Sequence, residues 1–387
     1  MKKFKFYCPT KIVFGEGSVV QLRNLITGKY KRILLHYGGG SIKKSGLYHE
    51  IIGILKELEC EVYELSGVEP NPKLSLVYEG VKLAKEKDIE LILAVGGGSV
   101  IDSAKAIGIG ARYNGDVWDF YTGKSQVKET IPVGVVLTLP ATGSEASMGS
   151  VITKEDGPDK LAVNDDIIRP EFAIMDPLLT LTLPDKQTFA GVTDILSHIF
   201  ERYFTHTSNV DLTDHLCEAT MKTVIKNAYI LKKDPKDIAA RAEIMLSGTI
   251  AHNGILGMGR EDDWSSHSIA HELSAFYGTT HGRSLGIIFP AWMKYVYKEN
   301  INRFVQFATN VFEVSVVNKT LEEVALEGIN SLITFLKDIG VPTSLSEEGL
   351  PTDNFDLMAE KAVNDGSLGE FKKFTKEDVV KIYDLAK

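Results

Sequence analysis

The sequence predicts two domains: an α/β domain with a parallel sheet over residues 1–180, then an all-α domain over 181–387. Three observations carry this. Residues 32–37 (RILLHY) and 90–95 (ELILAV) are apolar almost throughout, the pattern of strands covered on both faces. Each runs straight into three glycines and then into helical periodicity, so strands and helices alternate. After Pro184 no strand–glycine–helix unit recurs, and apolar residues keep helical spacing to the end.

In chain order, residues 4–14 alternate aromatic and polar side chains around Cys8, Pro9 and Thr10, which predicts a hairpin or paired edge strands. Gly15-Glu16-Gly17-Ser18 then opens a helix to about Leu25, with Ser18 as its N-cap. The strand at 32–37 leads into Gly38-Gly39-Gly40-Ser41 and a helix over 45–58; residues 61–65 form another strand. Pro70-Asn71-Pro72 breaks the chain before a helix over 74–87. The strand at 90–95 runs into Gly96-Gly97-Gly98-Ser99 and a helix over 100–111, and residues 131–138 add one more strand. Pro184 suits the first turn of a helix. Helices are expected at 185–204, 211–231, 236–253, 263–277, 285–296, 300–313, 320–338, 353–363 and 376–386.

The 387 residues suffice for two cores, and 44% hydrophobic with 25% charged residues is ordinary for a globular chain. A net charge of −9 argues against a nucleic-acid or anionic-membrane partner, while leaving room for a local basic pocket. Cys8, Cys60 and Cys217 are odd in number and far apart, with no C-x-x-C, which argues against a disulfide framework or cysteine zinc site and fits a reducing cytoplasm. The N-terminal residues lack the apolar core of a signal peptide, and no apolar run approaches the roughly 20 residues of a membrane span.

Gly96-Gly97-Gly98-Ser99 sits between a strand and a helix. Glycine permits positive φ and close backbone approach, and the free N–H groups of a helix start face an anion, so a pyrophosphate is the expected ligand. The G-x-G-x-x-G spacing is absent, and a tight turn without ligand is the competing reading. At Gly38-Gly39-Gly40-Ser41 no acidic residue ends the preceding strand, while Lys43 and Lys44 are close. That favours room for a 2′-phosphate and hence NADP(H); a flexible turn beside two solvated lysines is the alternative. Thr138 to Ser147 offers hydroxyls at a strand end, and alone reads as a polar loop.

Asp194 and His198 are four apart, one turn along a helix. His267 and His271 repeat that spacing, and His281 follows. A carboxylate with several imidazoles suits Zn²⁺ or Fe²⁺. Alone, an Asp-x3-His pair on a helix is more often a surface hydrogen bond or a capping pair than a ligand set, and His-x3-His is the stronger metal signal. Both lie in apolar helices, where such groups are costly unless paired or metallated.

These motifs together resemble the iron-containing (group III) alcohol dehydrogenases. The resemblance rests on Gly96-Gly97-Gly98-Ser99 with Asp102 and Lys105, on Thr142-Gly143-Ser144-Glu145, on Asp194-x3-His198, and on His267-x3-His271-x9-His281-Gly282. Residues 259–267 and Gly38-Gly39-Gly40-Ser41 look most like the NADPH-dependent butanol dehydrogenase and aldehyde reductase branch. The resemblance implies a Rossmann-like first domain, a helical second domain, the two-domain plan of dehydroquinate synthase, and an active site in the cleft between domains. It implies Asp194, His198, His267 and His281 as ligands of Fe²⁺ or Zn²⁺, with His271 close to substrate. It implies coenzyme contacts from Gly38, Gly39, Gly40, Ser41, Asn71, Gly97, Gly98, Ser99, Thr138, Leu139, Thr142, Ser147 and Lys160. Leu139 and Ser147 stand where relatives often carry threonine. Homodimers are usual in the family.

The expected reaction is hydride transfer between NADP(H) and a short-chain aldehyde such as butanal, with the carbonyl polarised by the metal and His271 as proton donor. The nearest rival is an NAD-dependent zinc polyol dehydrogenase of the glycerol type, for which an acidic residue after Tyr37 would be expected. A lyase related to dehydroquinate synthase would want several cationic side chains around the metal; Arg202, Arg241, Arg260 and Arg283 are scattered. A non-enzymatic metal or nucleotide binder would leave the nicotinamide site without purpose.

Overall fold

The computed structural model describes residues 1–157, 159–363 and 368–387. The chain forms two units, one of residues Tyr7–Leu183 and one of Pro184–Lys387 together with Met1–Phe6. The first six residues, expected in the α/β domain, join the helical unit instead. There the Met1 ammonium donates to Ser208 O at 3.0 Å and the Lys2 N–H to Gly259 O at 2.8 Å.

The α/β unit contains β1 (Lys11–Phe14), α1 (Leu22–Ile26), β2 (Arg32–Gly38), α2 (Ser41–Lys44), α3 (Leu47–Glu57), β3 (Glu61–Val68) and α4 (Leu74–Glu86). It continues through β4 (Leu91–Gly97), α5 (Gly98–Ala111), α6 (Trp118–Tyr121), β5 (Val133–Leu139), β6 (Gly149–Lys154), β7 (Asp159–Asn164) and β8 (Phe172–Met175). Six strands form one sheet in the order β1-β8-β5-β4-β2-β3, every pairing parallel. From β2 the chain winds outward to β3, then returns past β2 to β4 and on to β5. The winding direction therefore reverses between β2 and β4, and Gly38 and Gly97 end those two strands. Such a switch point, at the carboxyl ends of parallel strands, is where doubly wound sheets hold ligands.

Two local expectations fail. Residues 4–14 make no hairpin: only Lys11–Phe14 is a strand, and it pairs in parallel with β8 at the sheet edge. Thr10 Oγ1 donates to Pro170 O at 2.7 Å and Lys11 N to Glu171 O at 3.0 Å, which docks the segment against a distant strand. Ser18 is not a cap; Gly17, at φ 70°, takes that place and donates its N–H to Asp176 Oδ2 at 2.8 Å. The antiparallel hairpin β6–β7 and the strand β8 were not anticipated.

His36, wholly buried on β2, stitches three elements. Its Nδ1 is 2.9 Å from Leu65 O, which can only accept, so Nδ1 carries the proton and Nε2 accepts from Ser103 Oγ at 2.9 Å. Burial lowers its pKa to about 4, against a smaller opposing pull from the Leu65 carbonyl. The unfolded chain takes up a proton near pH 6.5 that the folded chain refuses, so this contribution is intact above 6.5 and lost as pH falls toward 4. Chemical denaturation should show wild type losing about 2 kcal/mol more than His36→Gln between pH 7 and pH 5. Parallel curves for the two proteins would refute a neutral buried His36.

The helical unit comprises α7 (Asp185–Tyr203), α8 (Asp211–Lys233), α9 (Ile238–His252), α10 (Ser265–Tyr277), α11 (His281–Val296), α12 (Ile301–Phe312), α13 (Leu321–Asp338), α14 (Leu345–Glu348), α15 (Phe355–Ala362) and α16 (Lys376–Leu385). Helix α7 is central: every residue from Thr188 to Tyr203 is buried. Its apolar residues pack with Phe289, Trp292, Phe304 and Phe307 in one core. A helix buried all round must satisfy its polar side chains internally. No helix among the described residues is long and apolar enough to cross a membrane.

Candidate functional site

Helix α7 carries Asp194 and His198 on one face, 2% and 4% exposed. His198 Nδ1 lies 3.5 Å from Asp194 Oδ1. Helix α10 brings His267, and α11 begins with His281, whose Nε2 is 3.7 Å from the same Asp194 oxygen. One ligand atom each from Asp194, His267 and His281 falls within 4.8 Å of the others. The His198 ring centroid is 4.8 Å from that of His267, so His198 borders this trio. His271 stands one turn after His267, its ring 5.0 Å from His281 and 6.4 Å from His267, outside the trio.

A carboxylate and imidazoles converging from three helices fit a borderline divalent ion. Burial pushes the His198 pKa well below its ordinary value, which keeps the ring in the neutral form that binds metals. Gly282 explains why His281 reaches the trio: a Cβ there would lie 2.0 Å from the Ala190 carbonyl oxygen on α7. The start of α11 approaches the α7 backbone closer than any side chain allows.

Sequence reasoning missed two residues here. Glu201, 1% exposed, accepts from His267 Nδ1 at 2.6 Å and His267 N at 3.0 Å through Oε1, and from Trp264 N at 2.7 Å through Oε2. Burial pushes its pKa up, while the N–H groups of His267 and Trp264 pull it back and favour the carboxylate. The signal was present: Asp194, His198 and Glu201 follow i, i+4, i+7 along one helix face. His252, the last residue of α9, has its ring 4.2 Å from that of His198, and only the tertiary fold reveals this. Trp264 also lies here, with φ 65° and its ring 4.8 Å from the Arg202 guanidinium.

The expected coenzyme residues cluster in the α/β unit. Gly38, Gly97 and Leu139 end β2, β4 and β5, Thr138 precedes Leu139, and Ser99 lies in the first turn of α5. None of Gly96, Gly97 and Gly98 has positive φ; a Cβ would meet Val100 at 2.5 Å, Leu139 at 3.0 Å and Thr142 at 2.4 Å respectively. These glycines answer to packing rather than to backbone conformation. Gly40, at φ 103°, precedes α2, which begins at Ser41, and Gly39 is exposed. Lys43 is held by Glu64, 4.0 Å away, and lies over the rings of Tyr37 and Tyr48. Asn71 and Lys160 meet, Lys160 Nζ donating to Asn71 Oδ1 at 3.0 Å. Thr142 Oγ1 accepts from Ser144 N at 3.1 Å.

Ser147 is buried and engaged by Lys105, which donates to Ser144 Oγ at 2.9 Å, Ser147 O at 3.0 Å and Gly149 O at 2.8 Å. Ser144 Oγ in turn donates to Asp102 Oδ1 at 2.6 Å. Asp102 and Lys105 thus bind α5 to the loop 144–149. Burial lowers the Lys105 pKa to about 8, with the Asp102 carboxylate opposing.

Residues 9–177 match the family model described as iron-containing alcohol dehydrogenase, and residues 188–386 match that of the Fe-containing alcohol dehydrogenase family, C-terminal. The chain is 45% identical over 382 residues to a probable NADH-dependent butanol dehydrogenase 1 of Bacillus subtilis, covering 99% of each chain. It is 36% identical over 392 residues to an NADPH-dependent aldehyde reductase of Escherichia coli, covering 100% of each. The crystal structure of an NADH-dependent butanol dehydrogenase A from Thermotoga maritima superposes with a TM-score of 0.96 at 41% identity, over 100% of this chain and 99% of that one.

Proposed function

The chain belongs to the iron-containing alcohol dehydrogenase family, and from that premise we propose that it interconverts short-chain aldehydes such as butanal and primary alcohols with NADP(H). The observation that carries the reading is the convergence of Asp194, His267 and His281 from three helices. These three with His198 would hold Fe²⁺ or Zn²⁺. A divalent ion there supplies a Lewis acid for a carbonyl oxygen, and a reduced nicotinamide supplies the hydride. Asp194 offsets part of the cation's charge, while neutral His198 adds none. An imidazole nitrogen of His271, beside the trio and outside it, is the proposed proton donor to the alkoxide.

In the α/β unit the N–H groups opening α5 at Gly98 and Ser99 would take the pyrophosphate. Gly38, Gly39, Gly40 and Ser41 would take the adenosine end, with Asn71, Thr138, Leu139, Thr142, Ser147 and Lys160 completing the contacts. The absence of an acidic residue at the end of β2 supports NADP(H). A second reading, NAD(H), is favoured by the engagement of Lys43 with Glu64 and by the names of the Bacillus and Thermotoga relatives. Butanal reduction with each coenzyme decides between them. An NADPH preference in kcat/KM of roughly tenfold or more supports the first reading, and the reverse ratio assigns NAD(H). Glycerol oxidation faster than butanol oxidation would instead favour a polyol dehydrogenase.

A further inference from the structure

We infer that Glu201 is a positioning residue that holds His267 as the Nδ1–H tautomer, so that Nε2 is the ring atom offered to the metal. The inference rests on the metal reading above.

The Glu201 carboxylate accepts three hydrogen bonds, from His267 Nδ1, His267 N and Trp264 N. Both oxygens are thus met by N–H groups at 2.6–3.0 Å, an arrangement that suits a carboxylate and leaves the imidazole as donor. With its proton on Nδ1, His267 presents Nε2 as a lone-pair donor. A carboxylate behind a ligating histidine also makes it a stronger base and fixes its ring plane.

Trp264 sits at φ 65° immediately before α10, a left-handed conformation rarely adopted by a bulky residue. Such strain persists only where surrounding contacts over-determine it. Glu201 binds the N–H of Trp264 and the N–H of His267, so it grips the first turn of α10 at two points as well as the His267 ring. Because Glu201 lies on α7 one face-repeat beyond Asp194 and His198, a single helix supplies two ligands and orients a third from α10.

Zn²⁺ affinity is measured by chelator competition for wild type and Glu201→Gln, alongside thermal unfolding of the metal-stripped proteins. Glutamine keeps one carbonyl acceptor but loses the charge and turns an amide donor toward the other N–H groups. The expected result is a Zn²⁺ affinity lower by about 10–100-fold. Unchanged Zn²⁺ affinity with a lowered apo melting temperature would reduce Glu201 to a structural prop and overturn the inference. Wild type that binds no Zn²⁺ would overturn the metal reading itself. A second measurement needs no variant: ¹⁵N NMR of histidine-labelled, metal-stripped wild type at neutral pH. His267 should appear as the Nδ1–H tautomer, and an Nε2–H tautomer would overturn the inference whatever the metal does.

Discussion

Alanine at His267 is expected to remove metal and activity together, whereas alanine at His271 should spare the metal and slow turnover. His267 supplies a member of the converging trio, and its Nδ1 is already committed to Glu201. Loss of an outer partner of a metal ligand costs about 10–100-fold, so if His267 is the ligand proposed, its loss should exceed roughly 100-fold in metal affinity, with kcat/KM falling in step. His271 lies 5.0 Å, ring to ring, from His281 and outside the trio. A general acid contributes about 10²–10⁴-fold, so His271→Ala should keep full metal content while kcat drops by about 10²-fold or more and its pH dependence changes. Metal analysis of the two variants beside steady-state kinetics checks both halves. Equal metal loss in both would make His271 a ligand and cancel its proposed role.

Gly282→Ala should be nearly as damaging, though it touches no ligand atom. Its new methyl group would lie 2.0 Å from Ala190 O and 2.7 Å from Ala190 C, backbone atoms inside the buried helix α7. Nothing there can rotate away, so α11 must withdraw. Overpacking ordinarily costs about 1–3 kcal/mol, and a backbone obstacle puts this case at the upper end or beyond. His281 is the adjacent residue, so withdrawal also carries its imidazole away from Asp194. The variant should melt lower than wild type and bind Zn²⁺ at least about tenfold more weakly. Wild-type stability and affinity together would mean that the close approach of α11 to α7 is not required.

Much of this was legible from local pattern. Strands buried on both faces read as continuous apolar runs, and helices of the second half, such as α8 and α13, carry their periodicity in plain view. The Asp194–His198 and His267–His271 spacings were equally local. What stayed hidden depends on partners distant in sequence. Residues 4–14 suggested a hairpin or paired edge strands; Lys11–Phe14 is an edge strand, but its partner β8 lies far along the chain. Three glycines at 96–98 suggested conformational freedom, but the reason for them is the space taken by Val100, Leu139 and Thr142. Glu201 was readable as the next step of a helical face. His252 was not, since only the packing of α9 beside α7 brings it to His198.

Hydride transfer is expected to depend on a metal held by the helical unit. The most direct test is butanal reduction by one metal-analysed preparation, followed before chelation, after chelation, and after re-addition of Fe²⁺ or Zn²⁺. Activity should disappear with the metal and return with one of the two ions, at a stoichiometry near one per chain. Undiminished reduction by protein shown to be metal-free would contradict the claim.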